Sequence, residues 1–277
     1  MRLGVLLAGR KPADIRERFA QAREAGFFQC QLNLHEPGLS RAELIQIADA
    51  IEEYGVRPLA VGCYLNPLLP EAPSPMGVSI KDLETILSSM DLIGARRIVI
   101  PSGTCAENFL DNHPENSSEG ALSGLRLFLS DVVRNTRARH YTLVIEPAPQ
   151  HVLSSPERVR MFHATLDEPV AEHVRYVLDG VSWLNQANFP QRTEVIAEAC
   201  AELGPVAGLV HLRDASLEDE LDLPAPGFGM VDYAAYLDAI CGSVATDVPA
   251  IARNASADQF AEVRDFLLRL SGIWQLA

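Results

Sequence analysis

Positive charge is scarce in this 277-residue chain: Lys and Arg number 23 against 37 Asp and Glu, a formal net charge of −14. Phosphate backbones are held by clustered Lys and Arg, so the balance excludes nucleic acid as an expected partner. Cysteine is also sparse. The five residues, Cys30, Cys63, Cys105, Cys200 and Cys241, form no CxxC pair and are odd in number. That pattern favours unpaired thiols in a reducing compartment. The opening "MRLGVLLAGRKPADIRERF" has an apolar run too short for a membrane span and lacks a signal-peptide layout. A cytoplasmic protein without a membrane partner is therefore expected. The turn after the first apolar run, "AGRKPAD", has no G-x-G-x-x-G, and no G-x-S-x-G nucleophile elbow occurs. Cys63 has no identifiable histidine partner, which leaves nucleophilic catalysis without support.

What the chain does have is alternation. Short apolar or β-branched runs fall at 2–8, 27–33, 57–63, 96–101, 141–146, 174–179, 208–213 and 249–252. Amphipathic helical stretches separate them, among them "ADIRERFAQAREAG", "RAELIQIADAIEEYG" and "IKDLETILSSMDLIG", each closed by a glycine: Gly26, Gly55 and Gly94. A further stretch covers 121–138, and the last, "SADQFAEVRDFLLRL", opens on Ser256 and Gln259 as a capping box. Parallel neighbours need helical crossovers, so strand–helix alternation predicts a parallel sheet. Eight units in 277 residues predict a closed (β/α)8 barrel forming one domain over 1–277. Two long loops, 64–77 and 102–118, follow strands and so belong to the barrel face where active sites are built. The prolines of the first make it a stiff cover or a plain surface loop.

Ionisable residues end or interrupt three successive apolar strands: Glu146 in "LVIEP", Asp179 in "YVLDG" and His211 in "LVHLRD". Such placement is costly unless the group is paired or functional. Neighbouring strands can share one ion, and two carboxylates with an imidazole suit Mn, Mg, Co or Zn.

At these residues the chain resembles the xylose-isomerase-like TIM-barrel superfamily of sugar isomerases and epimerases, over nearly its whole length. "SMDLIGARRIVIPSG", "LVIEPAPQHVLSSPERV" and "VRYVLDGVSWLN" are similar to the fourth, fifth and sixth units of that family, and "VAGLVHLRDAS" followed by "PGFGMVDYAAYLDAI" resembles the seventh. The resemblance implies that Glu146, Asp179 and His211 are three of four metal ligands. The fourth would be a Glu at the end of strand eight, and Arg253 stands there. A second departure is Ser182, where the family often has His. In the family the metal holds two substrate oxygens while the carboxylates of strands five and eight move a proton beside the carbonyl.

Arginine neither coordinates a metal nor acts as a base. At about 5 Å from a divalent ion it would repel it by roughly 6 to 7 kcal/mol at an effective dielectric near 20. Two readings follow. In one, the Arg253 head group lies among Glu146 and Asp179, replaces the metal electrostatically and leaves the protein metal-free. In the other it turns outward, toward solvent or Asp214, and a weaker three-ligand site remains.

Arg213 shares a strand face with His211 and could clamp a substrate oxyanion or pair with Glu146 or Asp179. His35, Asn66 and His151 are further candidate substrate contacts, Asn66 also reading as a turn start before Pro67, and Trp183 reads as packing. The expected activity is proton abstraction next to the carbonyl of a small sugar-like compound, with Glu146 as base and Arg253 stabilising the oxyanion. A lyase or dehydratase of a keto-sugar or keto-polyol, and a catalytically silent sugar-binding barrel, are the alternatives. DNA cleavage, known in related barrels, is set aside for want of metal-binding histidines. A dimer or tetramer is common among such barrels, and the sequence does not choose.

Overall fold

Each of the apolar runs becomes a strand. They are β1 (Leu3–Gly9), β2 (Gln29–Leu34), β3 (Arg57–Gly62), β4 (Arg97–Pro101), β5 (Thr142–Glu146), β6 (Val174–Leu178) and β7 (Ala207–Leu212). A short antiparallel hairpin, β8 (Ser216–Leu217) with β9 (Leu221–Asp222), precedes the eighth barrel strand, β10 (Ala250–Ala252). This computed structural model describes residues 1–108, 110–270 and 272–274. Phe109, within the loop 102–118, and positions 271 and 275–277 of the domain expected over 1–277 lie outside the described residues.

The strands pair in parallel in the order β1-β10-β7-β6-β5-β4-β3-β2, and β1 closes on β10 through Leu3↔Ala250, Gly4↔Ile251 and Val5↔Ala252. The fold is a single (β/α)8 TIM barrel. Its helices are α1 (Pro12–Glu24), α2 (Arg41–Tyr54), α3 (Ile80–Ile93), α4 (Glu119–Asn135), α5 (Pro156–His163), α6 (Glu168–Ala171), α7 (Arg192–Leu203), α8 (Tyr233–Ser243) and α9 (Phe260–Leu270). Gly55 and Gly94 close α2 and α3 in the left-handed conformation, which glycine adopts without steric cost. The Ser256–Gln259 capping box forms, on a 3₁₀ turn that leads into α9.

Two expected boundaries shift. Phe27 belongs to the turn after α1, where its amide bonds Ala22 O and its ring packs edge-on against Phe260, so β2 starts at Gln29. The helix expected over 121–138 ends at Asn135 because Thr136 turns extended and its hydroxyl bonds Val132 O. The five cysteines are free. Among the described residues no helix is long and apolar enough to cross a membrane.

The core has two parts. A large cluster lies between strands and helices, and a small one, with Val99, Val144, Val177, Leu209 and Ile251, fills the barrel interior. Side chains two apart on a strand share a face. Glu146, Asp179, His211 and Arg253 each lie two residues beyond one of these interior positions, so all four rise from the same plug toward the C-terminal mouth.

Candidate active site

Four elements end together at that mouth. Glu146 is the last residue of β5, and Asp179 follows β6 and caps the 3₁₀ turn Gly180–Trp183 by accepting from Ser182 N at 3.1 Å. His211 stands in β7, fully buried. Arg253 follows β10 and keeps its amide on the ladder, bonded to Leu212 O at 2.8 Å. The chain then turns sharply at Asn254, whose φ of 58° is left-handed and whose amide is tied to Leu223 O. Asn tolerates that conformation.

The guanidinium lies in the middle. Arg253 Nη1 donates to Glu146 Oε1 at 2.5 Å and to His211 Nδ1 at 3.1 Å, and stands 3.9 Å from Asp179 Oδ2. The inward placement of the Arg253 head group is the arrangement found. Asp214, the other acid to which it could have turned, is fully used: it accepts from the amides of Ala215, Gly227 and Val231 and so folds the loop "PGFGMV". A side chain on Gly229 would collide with that carboxylate.

A polar chain completes the circle. His211 Nε2 lies 2.7 Å from Gln31 Oε1, which accepts, so Nε2 carries the proton and Nδ1 offers its lone pair to Arg253. Gln31 Nε2 donates to Asn33 Oδ1 at 2.9 Å, Asn33 bonds the Tyr64 hydroxyl, and Tyr64 Oη donates to Glu146 Oε2 at 2.7 Å. Donors thus run from the guanidinium both ways to one carboxylate. Burial works against ionised Glu146, but the adjacent Arg253 charge and the Tyr64 bond bring it down to about 2. Burial, reinforced by Arg253, pushes His211 down to about 3, so the imidazole is neutral at pH 7. Arg253, though buried, is held above its ordinary range by Glu146.

Arg213 forms the second ion pair, its Nε 2.9 Å from Asp179 Oδ2 but not aligned for a hydrogen bond. Its Nη2 donates to Ser182 Oγ at 2.5 Å, so Ser182, where the resemblance implies a histidine, anchors an arginine. Two cations and two anions balance, with the imidazole uncharged.

A cavity of about 320 Å³ opens over these groups, and Tyr64, Glu146, His151, Ser182, Arg213 and Arg253 are among its lining residues. Two expected substrate contacts stand apart from this lining. His35 does not line the cavity; it stands behind Tyr64, edge-on at 6.0 Å between ring centroids. Asn66 is buried, and its amide stitches the loop after β3 to that after β4 through Thr104 O, Ala106 O and the amides of Leu68 and Thr104. The loop 64–77 is pinned at its root. Trp183 faces a separate cleft. Tyr64, Gln31 and Asn33 were missed in the sequence, yet the alternation of Gln29, Gln31 and Asn33 in "QCQLNL" marks a polar face pointing into the barrel.

At the three expected metal ligands a side chain takes the central place. Among the described residues no group of His, Cys, Asp and Glu is arranged to hold a metal ion. The physical reason is that a cation with no lone pair, the Arg253 guanidinium, takes the point on which Glu146 and His211 converge, while Asp179 leans to Arg213. These residues do not fit a divalent ion as they stand.

No protein-family profile and no curated protein sequence matches the chain. Solved structures do. A 3-keto-D-glucoside 4-epimerase from E. coli is 20% identical, with 98% of each chain covered and a TM-score of 0.66. The D-allulose 3-epimerase of a Methylomonas species, in complex with D-allulose, gives 13% identity, 98% and 97% coverage and a TM-score of 0.69. A xylose isomerase-like TIM barrel protein from Mycobacterium smegmatis, in complex with magnesium, gives 13%, 97% and 96%, and 0.71. The chain has the xylose-isomerase-like TIM-barrel fold. Within it, this xylose-isomerase-like barrel carries a guanidinium at the centre of its C-terminal mouth.

Proposed function

We propose that the barrel is a sugar isomerase- or epimerase-like enzyme that moves a proton on the carbon beside the carbonyl of a small polyhydroxylated compound. One observation carries this reading: a carboxylate base and a fixed cation, Glu146 and Arg253, are held 2.5 Å apart under one small cavity. Pockets for small ligands begin at about 300 Å³, and neighbours in fold include epimerases of keto-sugars. Glu146 takes the proton, and the carbonyl oxygen becomes an oxyanion that Arg253 stabilises as it forms. Neutral His211 supports the guanidinium from behind, while Arg213, Asp179 and His151 orient hydroxyl groups. A base held at about 2 is weak in the free protein. As the substrate oxygen draws on the guanidinium, the hold on the carboxylate loosens and its basicity rises. Return of the proton to the other face or to the neighbouring carbon completes the cycle, whereas loss of a β-hydroxyl after the same first step would make a lyase or dehydratase.

A second reading, a silent sugar-binding barrel, is favoured by the engagement of both Glu146 oxygens. Solvent deuterium separates the two. Wild-type protein in D₂O is expected to wash label into at least one member of a keto-sugar panel, and Glu146→Gln to lower that rate by about 10²- to 10⁴-fold. Binding without exchange throughout the panel defeats the enzymatic reading.

A further inference from the structure

We propose that the Arg253 guanidinium is a permanent stand-in for a divalent cation, and that residue 253 alone decides whether this barrel takes up a metal. The inference goes beyond the proposed activity and does not depend on turnover.

The surroundings of Arg253 Nη1 are those of a cation site rather than of an ordinary surface ion pair. Glu146 Oε1 and His211 Nδ1 address the same atom from two strands and lie 3.7 Å apart. In an octahedral site with bonds of about 2.2 Å, adjacent ligand atoms stand about 3.1 Å apart, so the two ligands have to close by about half an ångström. The support behind the ligands is also in place. His211 gives its far N–H to Gln31 Oε1, the second-layer bond that aims an imidazole lone pair at a metal. Tyr64 holds Glu146 Oε2 and leaves Oε1 facing the centre. Asp179 is the donor that has to turn, since its Oδ2 is drawn to Arg213 at 2.9 Å. Two elementary facts then exclude the ion: the guanidinium offers no lone pair, and its charge repels a second cation across a low-dielectric gap.

The test uses Mn²⁺ alone, followed by electron paramagnetic resonance and calorimetry on folded protein. Wild type, purified without chelator, is expected to hold no stoichiometric metal. Arg253→Glu removes the cation and supplies a third carboxylate as a fourth ligand; Arg253→Met removes the cation only and does not place a new charge beside Glu146. We expect Mn²⁺ affinity to rise at least about a thousandfold in Arg253→Glu and at least about tenfold in Arg253→Met. The gain is expected to disappear when His211→Asn is added to either. A gain in either folded variant that needs His211 supports the inference. One equivalent of metal bound by wild type and lost in His211→Asn overturns it. So does Mn²⁺ binding no tighter than wild type in both folded variants, or a gain that survives His211→Asn. Failure of deuterium exchange in the wild type would leave all of these outcomes readable.

Discussion

Arg253→Met leaves Glu146 ionised, less than a fifth exposed, and without its counter-ion. The carboxyl falls from an ordinary 4.5 to about 2 in the folded protein, against burial and chiefly because of Arg253. At about 1.4 kcal/mol per pH unit this corresponds to about 3 kcal/mol of stability, within the range for breaking a buried ion pair. The contribution is fully present above pH 4.5 and is lost as the pH falls toward 2. His211 acts in the same direction, because Arg253 penalises its protonation in the folded state and that penalty grows below pH 6.5. Urea unfolding of wild type and variant should therefore differ by about 3 kcal/mol at pH 7 and by much less at pH 3. A domain of this size tolerates such a loss. A difference below about 1 kcal/mol at pH 7, or one that stays constant down to pH 3, would refute the buried pairing.

Tyr64→Phe removes the donor to Glu146 Oε2 and should cost about 1–3 kcal/mol; the carboxyl should move up in a ¹³C titration, and an unmoved titration speaks against the bond. Asp214→Ala leaves the amides of Ala215, Gly227 and Val231 without their acceptor. A loss of about 3 kcal/mol is expected, with faster hydrogen exchange at Gly227 and Val231, and unchanged exchange there would remove Asp214 as the clamp. With Glu146 at about 2 and His211 at about 3, neither changes charge between pH 5 and 8. The kcat/KM for deuterium wash-in should be flat over that window, and an acid limb centred near pH 6 would mean that one of the two is not held as described.

The barrel was legible because a strand buried on both faces reads as a continuous apolar run, and a parallel crossover needs a helix between such runs. That held even for β10, only Ala250–Ala252 long. The residues brought to the mouth were legible for a similar reason: an ionisable group at the end of a buried strand stands out, and Glu146, Asp179, His211 and Arg253 all do. Other features depended on contacts across the fold. His35 and Asn66 sit after strands just as His151 sits after another, yet Tyr64 screens the first and two loops consume the second. The hairpin Ser216–Asp222 is too short to announce itself by period.

The sequence by itself determined that an arginine follows the eighth strand, where the resemblance implies a carboxylate, and that it had two places to go. Which one it takes was decided by tertiary structure. Asp214 is spent on three loop amides far along the chain, Asn254 bends the backbone behind the arginine, and the buried acceptors Glu146 Oε1 and His211 Nδ1 lie within its reach. Charge in a low-dielectric interior goes to the partners that geometry leaves free, and a linear pattern of residues does not record which partners those are.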